Sequence, residues 1–164
     1  MDDTVRLRHM TAVYITRGDQ ILLLYRIGSR VVPPSWCGVG GHFEKDELND
    51  PEQCVLRELL EETGITAADI GGLKLRYISL RLKNQEVRQN WYYFAELKND
   101  QIKLSECDEG TLEWVNINDI LEREMPFSAK ECLKHYLKIG KYNAKLYSGA
   151  AAENGTDWAE LREF

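Results

Sequence analysis

Long apolar runs are missing from this chain. Its densest block, Ile21-Leu22-Leu23-Leu24-Tyr25, has the length of a strand, far short of the roughly 20 residues a membrane helix needs. No helical span is expected, and Met1-Asp2-Asp3-Thr4 lacks the basic and apolar character of a secretory leader. Histidine and cysteine are scarce, at three and four residues. The cysteines (Cys37, Cys54, Cys107, Cys132) show no C-x-x-C spacing and the histidines no zinc-like pattern, so free thiols in a reducing cytoplasm are expected rather than a disulfide scaffold. Positive charge is in deficit. A formal net charge of −6 argues against non-specific nucleic-acid binding, which needs a basic footprint. The same deficit would repel a polyphosphate unless a bound metal reversed the local sign.

What is present suffices for one core: 164 residues, 43% of them hydrophobic. Residues 10–15 and 21–26 are apolar runs around Arg17-Gly18-Asp19-Gln20, which reads as a hairpin. Residues 27–36 form a loop with Gly28, Ser29, Pro33 and Pro34, and residues 37–43 a short Gly-rich strand. Residues 73–82 and 87–97 read as a second hairpin with Lys83-Asn84-Gln85 near its turn, and residues 111–115 as a further strand. Residues 118–123 and 128–139 look helical, the latter with Leu133, Tyr136 and Leu137 on its apolar side. Strands interleaved with a few helices in hairpin-rich order indicate an α+β layered domain. We assign residues 1–144 to this domain and residues 145–164 to a C-terminal extension, where Asn154-Gly155 signals a hairpin.

The most informative run is Arg57-Glu58-Leu59-Leu60-Glu61-Glu62-Thr63-Gly64. Asp50 suits an N-cap, Pro51 the first helical position and Gln53 the third, a variant of the capping box, while Gly64 stops the helix. Val55, Leu56, Leu59 and Leu60 then form an apolar side, with Glu58, Glu61 and Glu62 on a broadly opposite arc. Carboxylates at i, i+3 and i+4 repel by roughly 0.2–0.5 kcal/mol per pair. Arg57 is the only cation nearby, so a divalent hard cation with oxygen ligands is the natural neutraliser. The bland alternative is a solvated acidic face.

The wider stretch resembles the Nudix box, G-x5-E-x7-R-E-U-x-E-E-x-G-U, with U a bulky aliphatic residue. Gly41 and Glu47 fit its first part; Arg57, Glu58, Leu59, Glu61, Glu62, Gly64 and Ile65 fit its second part. One departure stands out: nine residues, 48–56, separate Glu47 from Arg57. The surplus in Leu-Asn-Asp-Pro should lengthen a loop without rotating the carboxylates on the helix. The resemblance implies a mixed sheet between helices, an α/β/α sandwich. It implies hydrolysis of a nucleoside diphosphate derivative by water attack at phosphorus, with Mg²⁺ or Mn²⁺. Carried over by position, Glu58, Glu61 and Glu62 become the metal set, and Arg57 the cation that orients a neighbouring carboxylate. Gly40 and Gly41 let backbone approach substrate or metal, while Glu44 and Glu47 are either outer participants or plain loop residues. Glu109 matches best as a further carboxylate from outside the box, Glu106 second, and a solvated turn is the alternative.

Substrate choice lies outside the box. Leu80 stands where the ADP-ribose subgroup has proline, and Leu82 and Lys83 where dinucleoside polyphosphate hydrolases have tyrosine. The layout resembles MutT-type enzymes, with Arg26 as a base-contacting arginine and Trp36 and Phe127 as candidate stacking rings; the plain alternatives are a surface strand residue for Arg26 and a loop anchor for Trp36. A nucleoside triphosphate pyrophosphohydrolase, acting for instance on oxidised dGTP, is the leading expectation. A nucleoside diphosphate-sugar hydrolase is the first alternative, and a nucleotide-sensing module without turnover the second. The expected partner is a small nucleotide, with no nucleic acid and no membrane; a homodimer is compatible with the sequence.

Overall fold

The computed structural model describes residues 4–28 and 33–164; residues 1–3, on which the expectation about a leader falls, and Ser29 of the expected loop lie outside these. Strands β1 (Arg6–Arg17) and β2 (Gln20–Arg26) form the first hairpin. Arg17 opposes Gln20, so Gly18-Asp19 is the link, and Gly18 takes a φ of 58° at no Cβ cost. The two strands pair only at that end, through Thr16↔Ile21 and Arg17↔Gln20. Beyond it they splay, and the returning chain fills the wedge. There β3 (Ser35–Cys37) pairs with β2, after which Val39 and His42 bridge to Val13 and Met10 of β1. The expected strand at 37–43 is thus two short pairings on two neighbours. Gly40 is required in this wedge, because a Cβ there would run into the Thr11 carbonyl.

Helix α1 (Pro51–Thr63) starts where expected: Asp50 Oδ1 accepts from the Gln53 N–H at 3.0 Å. The reciprocal half of the capping box is absent, since the Asp50 N–H donates to the Glu47 carbonyl at 2.8 Å. A 3₁₀ turn at Lys45–Glu47 precedes it. Gly64 closes the helix at φ 78°, donating to the Leu60 carbonyl. The buried side is Cys54, Val55, Leu59, Glu62 and Thr63, while Leu60 is 51% exposed. This corrects the expected apolar face. Glu62 lies seven residues from Val55, only about 20° round the cylinder, so it sits on the buried stripe rather than opposite it.

The second hairpin, β4 (Ile70–Lys83) and β5 (Glu86–Leu97), is longer than expected and turns through Asn84 and Gln85 at φ 52° and 58°. β6 (Gly110–Asn116) runs antiparallel to β2. Residues 118–123 do not form a helix but a single 3₁₀ turn, Ile120–Glu122. The Asn116 side chain accepts from the Asn118 N–H at 2.9 Å, a local bond that competes with helix formation. After it come α2 (Phe127–Lys138) and a final hairpin, β7 (Leu146–Ala152) and β8 (Gly155–Leu161). Ala152 opposes Gly155, so its link is Glu153-Asn154 rather than Asn154-Gly155.

The sheet order is β3-β2-β1-β5-β4-β7-β8, with β6 on β2. β1–β5 and β4–β7 are parallel and the other pairs antiparallel, so the sheet is mixed. α1 covers one face, with Val13, Ile15, Leu22, Val39 and Leu59 in its core; α2 covers the other, with Tyr14, Tyr77, Tyr92, Phe94 and Leu133. The C-terminal hairpin extends the sheet beyond β4, held by the buried Arg76 guanidinium, which donates to the carbonyls of Lys145 (2.8 Å) and Gly140 (2.7 Å). All four cysteines are free, Cys54 and Cys132 buried. Among the described residues no helix is long and apolar enough to cross a membrane.

Candidate active site

Four segments meet at the open end of the β1–β2 wedge: the Gly40-Gly41 turn, the inner side of α1, the end of β2 and the loop before β6. They enclose a cleft of about 280 Å³ lined by Arg26, Gly40, Gly41, Arg57, Glu58 and Glu109, together with His42, Phe43 and Glu44. Each segment is fixed by backbone. The Thr11 N–H donates to the Gly41 carbonyl at 2.9 Å, and the Ile27 N–H to the Glu109 carbonyl at 3.1 Å. Gly110 pairs with Arg26 at a point where a Cβ would collide with the Tyr25 carbonyl.

Arg57 organises one half of the site. Its Nε and Nη2 grip Glu47 from both sides at 2.9 Å, Nη1 reaches Glu58 at 2.9 Å and Glu61 at 3.1 Å, and Nη2 also donates to the His42 carbonyl. A two-point fork of this kind fixes orientation as well as charge. Glu47 is 1% exposed and its carboxyl is held below the usual range, chiefly by the hydrogen bond from Arg57. Glu47 is therefore the anchor of Arg57, and the surplus before α1 leaves that contact intact. Glu58 lies under Gly41; burial raises its carboxyl above the ordinary value. Glu44 stays mostly exposed, 3.9 Å from Arg57.

The other half is built round Glu62. Its Oε2 accepts from the Gly40 N–H and its Oε1 from Arg26 Nη2, both at 3.0 Å. The same Arg26 nitrogen reaches Glu109 Oε2 and the Gly40 carbonyl, also at 3.0 Å. Arg26 Nε, buried, has no partner among the described residues. Burial, and then the neighbouring Glu109 carboxyl, push the Glu62 carboxyl up to about 8. The acidic loop docks through the Ser105 N–H on the Thr63 carbonyl, at the C-terminal end of α1.

The structure brings Arg26, Gly40, Gly41, Arg57, Glu58, Glu62 and Glu109 together. Glu61 stands at the rim, with Arg57 as its ion-pair partner and its side chain 56% exposed. Trp36 and Phe127 fall elsewhere. Trp36 opposes Tyr25, and alternation along β2 sends Tyr25 to the opposite face from Arg26. It packs on Tyr25 and Arg123 over the α2-side core, and Phe127 begins α2 beneath Arg81. The sequence reading missed His42 and Phe43; their place just after the paired glycines was the available signal.

Among the described residues, no three His, Cys, Asp or Glu side chains are arranged to hold a metal ion as they stand, and guanidinium groups pair with the carboxylates. In kind the donors do fit a hard divalent cation: all are oxygens, and two of the carboxyls are raised by their burial. Glu58, Glu62 and Glu109, with Glu61 at the rim, would hold it once the arginines yield.

Two tests follow from this geometry. A Cβ on Gly41 would press into the flexible Glu58 carboxylate at 2.5–2.8 Å. Gly41→Ala is therefore expected to fold yet to lose activity by about 100-fold through misplacement. Gly40→Ala meets backbone instead and should cost about 1–3 kcal/mol, some 2–4 °C in Tm per kcal/mol. Thermal melts beside activity assays separate the two, and equal melts would contradict the wedge. Glu62 supplies a pH test. The folded protein keeps a proton there that the unfolded chain, at the ordinary 4.5, gives up. Metal-free protein should thus lose stability as pH rises from 4.5 toward about 8. Glu62→Gln should flatten that slope in melts run with EDTA; an unchanged slope in the variant would contradict the assignment.

Comparison with known proteins agrees with this arrangement. The NUDIX domain model matches residues 6–136. The NAD-capped RNA hydrolase NudC of Pseudomonas aeruginosa is 30% identical over 154 residues, covering 89% of this chain and 47% of its own length. A MutT protein from Bacillus halodurans superposes with a TM-score of 0.66 at 23% identity, over 93% of this chain and 97% of that one. A Nudix hydrolase from Nitrosomonas europaea gives 0.68 at 15% identity, over 89% and 79%. The chain belongs to the Nudix family of hydrolases. It spans about half the length of the curated relatives it matches, and residues 137–164 lie outside the family match.

Proposed function

We propose that the protein is a metal-dependent pyrophosphohydrolase that splits the phosphoanhydride of a nucleoside diphosphate derivative, releasing a nucleoside monophosphate. The observation that carries this reading is the convergence of Glu58, Glu62 and Glu109 around one cleft, where Arg57 pairs with Glu58, Arg26 with Glu62 and Glu109, and the Gly40 N–H donates to Glu62. Mg²⁺ or Mn²⁺, when bound, supplies charge neutralisation at the phosphoryl oxygens and acidifies a water. The chain supplies the rest. Arg57, braced on Glu47, fixes the carboxylates of Glu58 and Glu61; the Gly40-Gly41 turn lets the diphosphate approach backbone; Glu109 takes the proton of the attacking water at its carboxylate oxygen. Arg26, half-used by its present partners, turns toward phosphate as Glu62 and Glu109 are engaged.

The favoured substrate carries a second nucleoside or similar group beyond the diphosphate. The relative at 30% identity is named for a dinucleotide cap, and Trp36 and Phe127 lie away from the cleft that a stacked triphosphate would use. The triphosphate reading, oxidised dGTP included, keeps Arg26 in the cleft as its support. A panel of dinucleoside pyrophosphates, nucleoside diphosphate-sugars and triphosphates, read by product chromatography, decides between them. Turnover confined to triphosphates would reverse the order, and none with any would favour the sensing module.

A further inference from the structure

The net charge of −6 conceals a segregated basic surface. In the sheet, Arg8 of β1 opposes Arg88 of β5, and Arg88 opposes Arg81 of β4. One row further out, Arg6, Glu86 and Lys83 oppose one another in the same way. Directly opposed residues share a face with Cβ atoms about 4.5–5.5 Å apart, and like charges so placed are destabilising. Five cations thus stand in two rows with one carboxylate, Glu86, which takes Arg88 Nε at 2.8 Å and Arg8 Nε at 3.5 Å. Among the described residues, Arg6, Arg81 and Lys83 form no ion pair with a carboxylate. Arg81 instead lies over the Phe127 ring at 5.0 Å, which holds its guanidinium plane in place.

The row lies on the α2-side face, with Tyr14 and Tyr92 further along the same strands, and meets the cleft at its edge. Counting inward by twos, Met10 and Asn90 occupy the next position on this face, and Met10 bridges His42, a residue of the cleft wall. Burial, and then the charges of Arg8 and Arg26, hold the His42 imidazole below its ordinary value, so the fields of the two sites overlap there.

We propose that Arg8, Arg88 and Arg81 bind a second phosphate of the substrate, carried on the ribose beyond the scissile anhydride. This rests on the hydrolytic reading of the cleft. The ligand is a phosphoryl oxygen group, either the phosphomonoester of a small nucleotide or the phosphodiester chain of an oligonucleotide.

Three substrates test it: a dinucleoside pyrophosphate, the same compound with a 3′-phosphate, and the same compound extended at 3′ by a short RNA. Wild-type kcat/KM should rise about tenfold with the 3′-phosphate, the worth of one charge-assisted contact, and the gain should shrink between about 50 and 200 mM salt. The Arg8→Gln/Arg81→Gln variant should lose the gain while treating the unphosphorylated compound as wild type does. Arg8→Lys/Arg81→Lys should keep most of it, and melts check that both variants fold. If the 3′-phosphate captures the whole gain, the ligand is a small nucleotide; if RNA adds more, it is a chain; both uphold the row. No preference in wild type, or a preference that survives Arg8→Gln/Arg81→Gln, overturns it. If no compound is cleaved, the hydrolytic reading fails separately, and equilibrium binding of the same three compounds must show the same preference and loss.

Discussion

Glu61→Gln is expected to lower turnover by about 100-fold or more while leaving the fold intact. The side chain is more than half exposed and its ion-pair partner is Arg57, so the change removes charge with little packing consequence. Stability should move little, because the lost ion pair and the relieved repulsion from Glu58 are each worth roughly 0.2–0.5 kcal/mol with opposite signs. That limits the Tm change to about 2 °C in a chain of this size. The exposed rim position suits a group that joins a cation arriving from solvent. A Glu61→Gln protein that retains wild-type, metal-independent turnover would remove the metal face from the account.

Replacement of Glu109 should act differently. Its carboxylate already stands beside Arg26 and Glu62, positioned by the backbone bond from Ile27 to its carbonyl. Serving as base, it would contribute chiefly in the transition state. Glu109→Gln is accordingly expected to cut kcat by about 10²–10⁴-fold and to raise KM far less. Glu106→Gln, an exposed carboxylate in the same loop, carries the same charge change and should remain near wild type. If Glu106→Gln fails and Glu109→Gln does not, the base is Glu106. Should both remain active, the proton acceptor lies within the box. The loop that carries both docks at the C-terminal end of α1, on Thr63. The reason is Glu62, whose inward position brings the site toward that end of the helix.

Local signals made the carboxylate helix legible from sequence: an Asp50 cap, Pro51, a Gly64 stop and a box pattern that fixes residue types at fixed intervals. The direction in which each carboxylate points was legible too, had the angles been followed from Val55 and Leu59, which bracket Glu62 on one stripe. Non-local pairing hid the remainder. Nothing near Trp36 states that it will oppose Tyr25 across β2 and so leave the Arg26 face. Glu47 could not be recognised as buried, because its burial depends on an Arg57 fork formed across the inserted residues. The arginine row depends on a parallel β1–β5 register between residues 80 apart in sequence, and parallel neighbours carry no turn that would announce their alignment.

The central claim is that metal-assisted water attacks phosphorus in the cleft between α1 and the Gly40-Gly41 turn. Hydrolysis of a dinucleoside pyrophosphate in ¹⁸O-labelled water, followed by mass spectrometry of both products, tests it most directly. The account predicts one labelled oxygen on a phosphate of a product with Mg²⁺ present, no turnover with EDTA, and turnover lowered by about 100-fold or more in Glu61→Gln. Label on carbon, or cleavage that proceeds equally in EDTA, would contradict it.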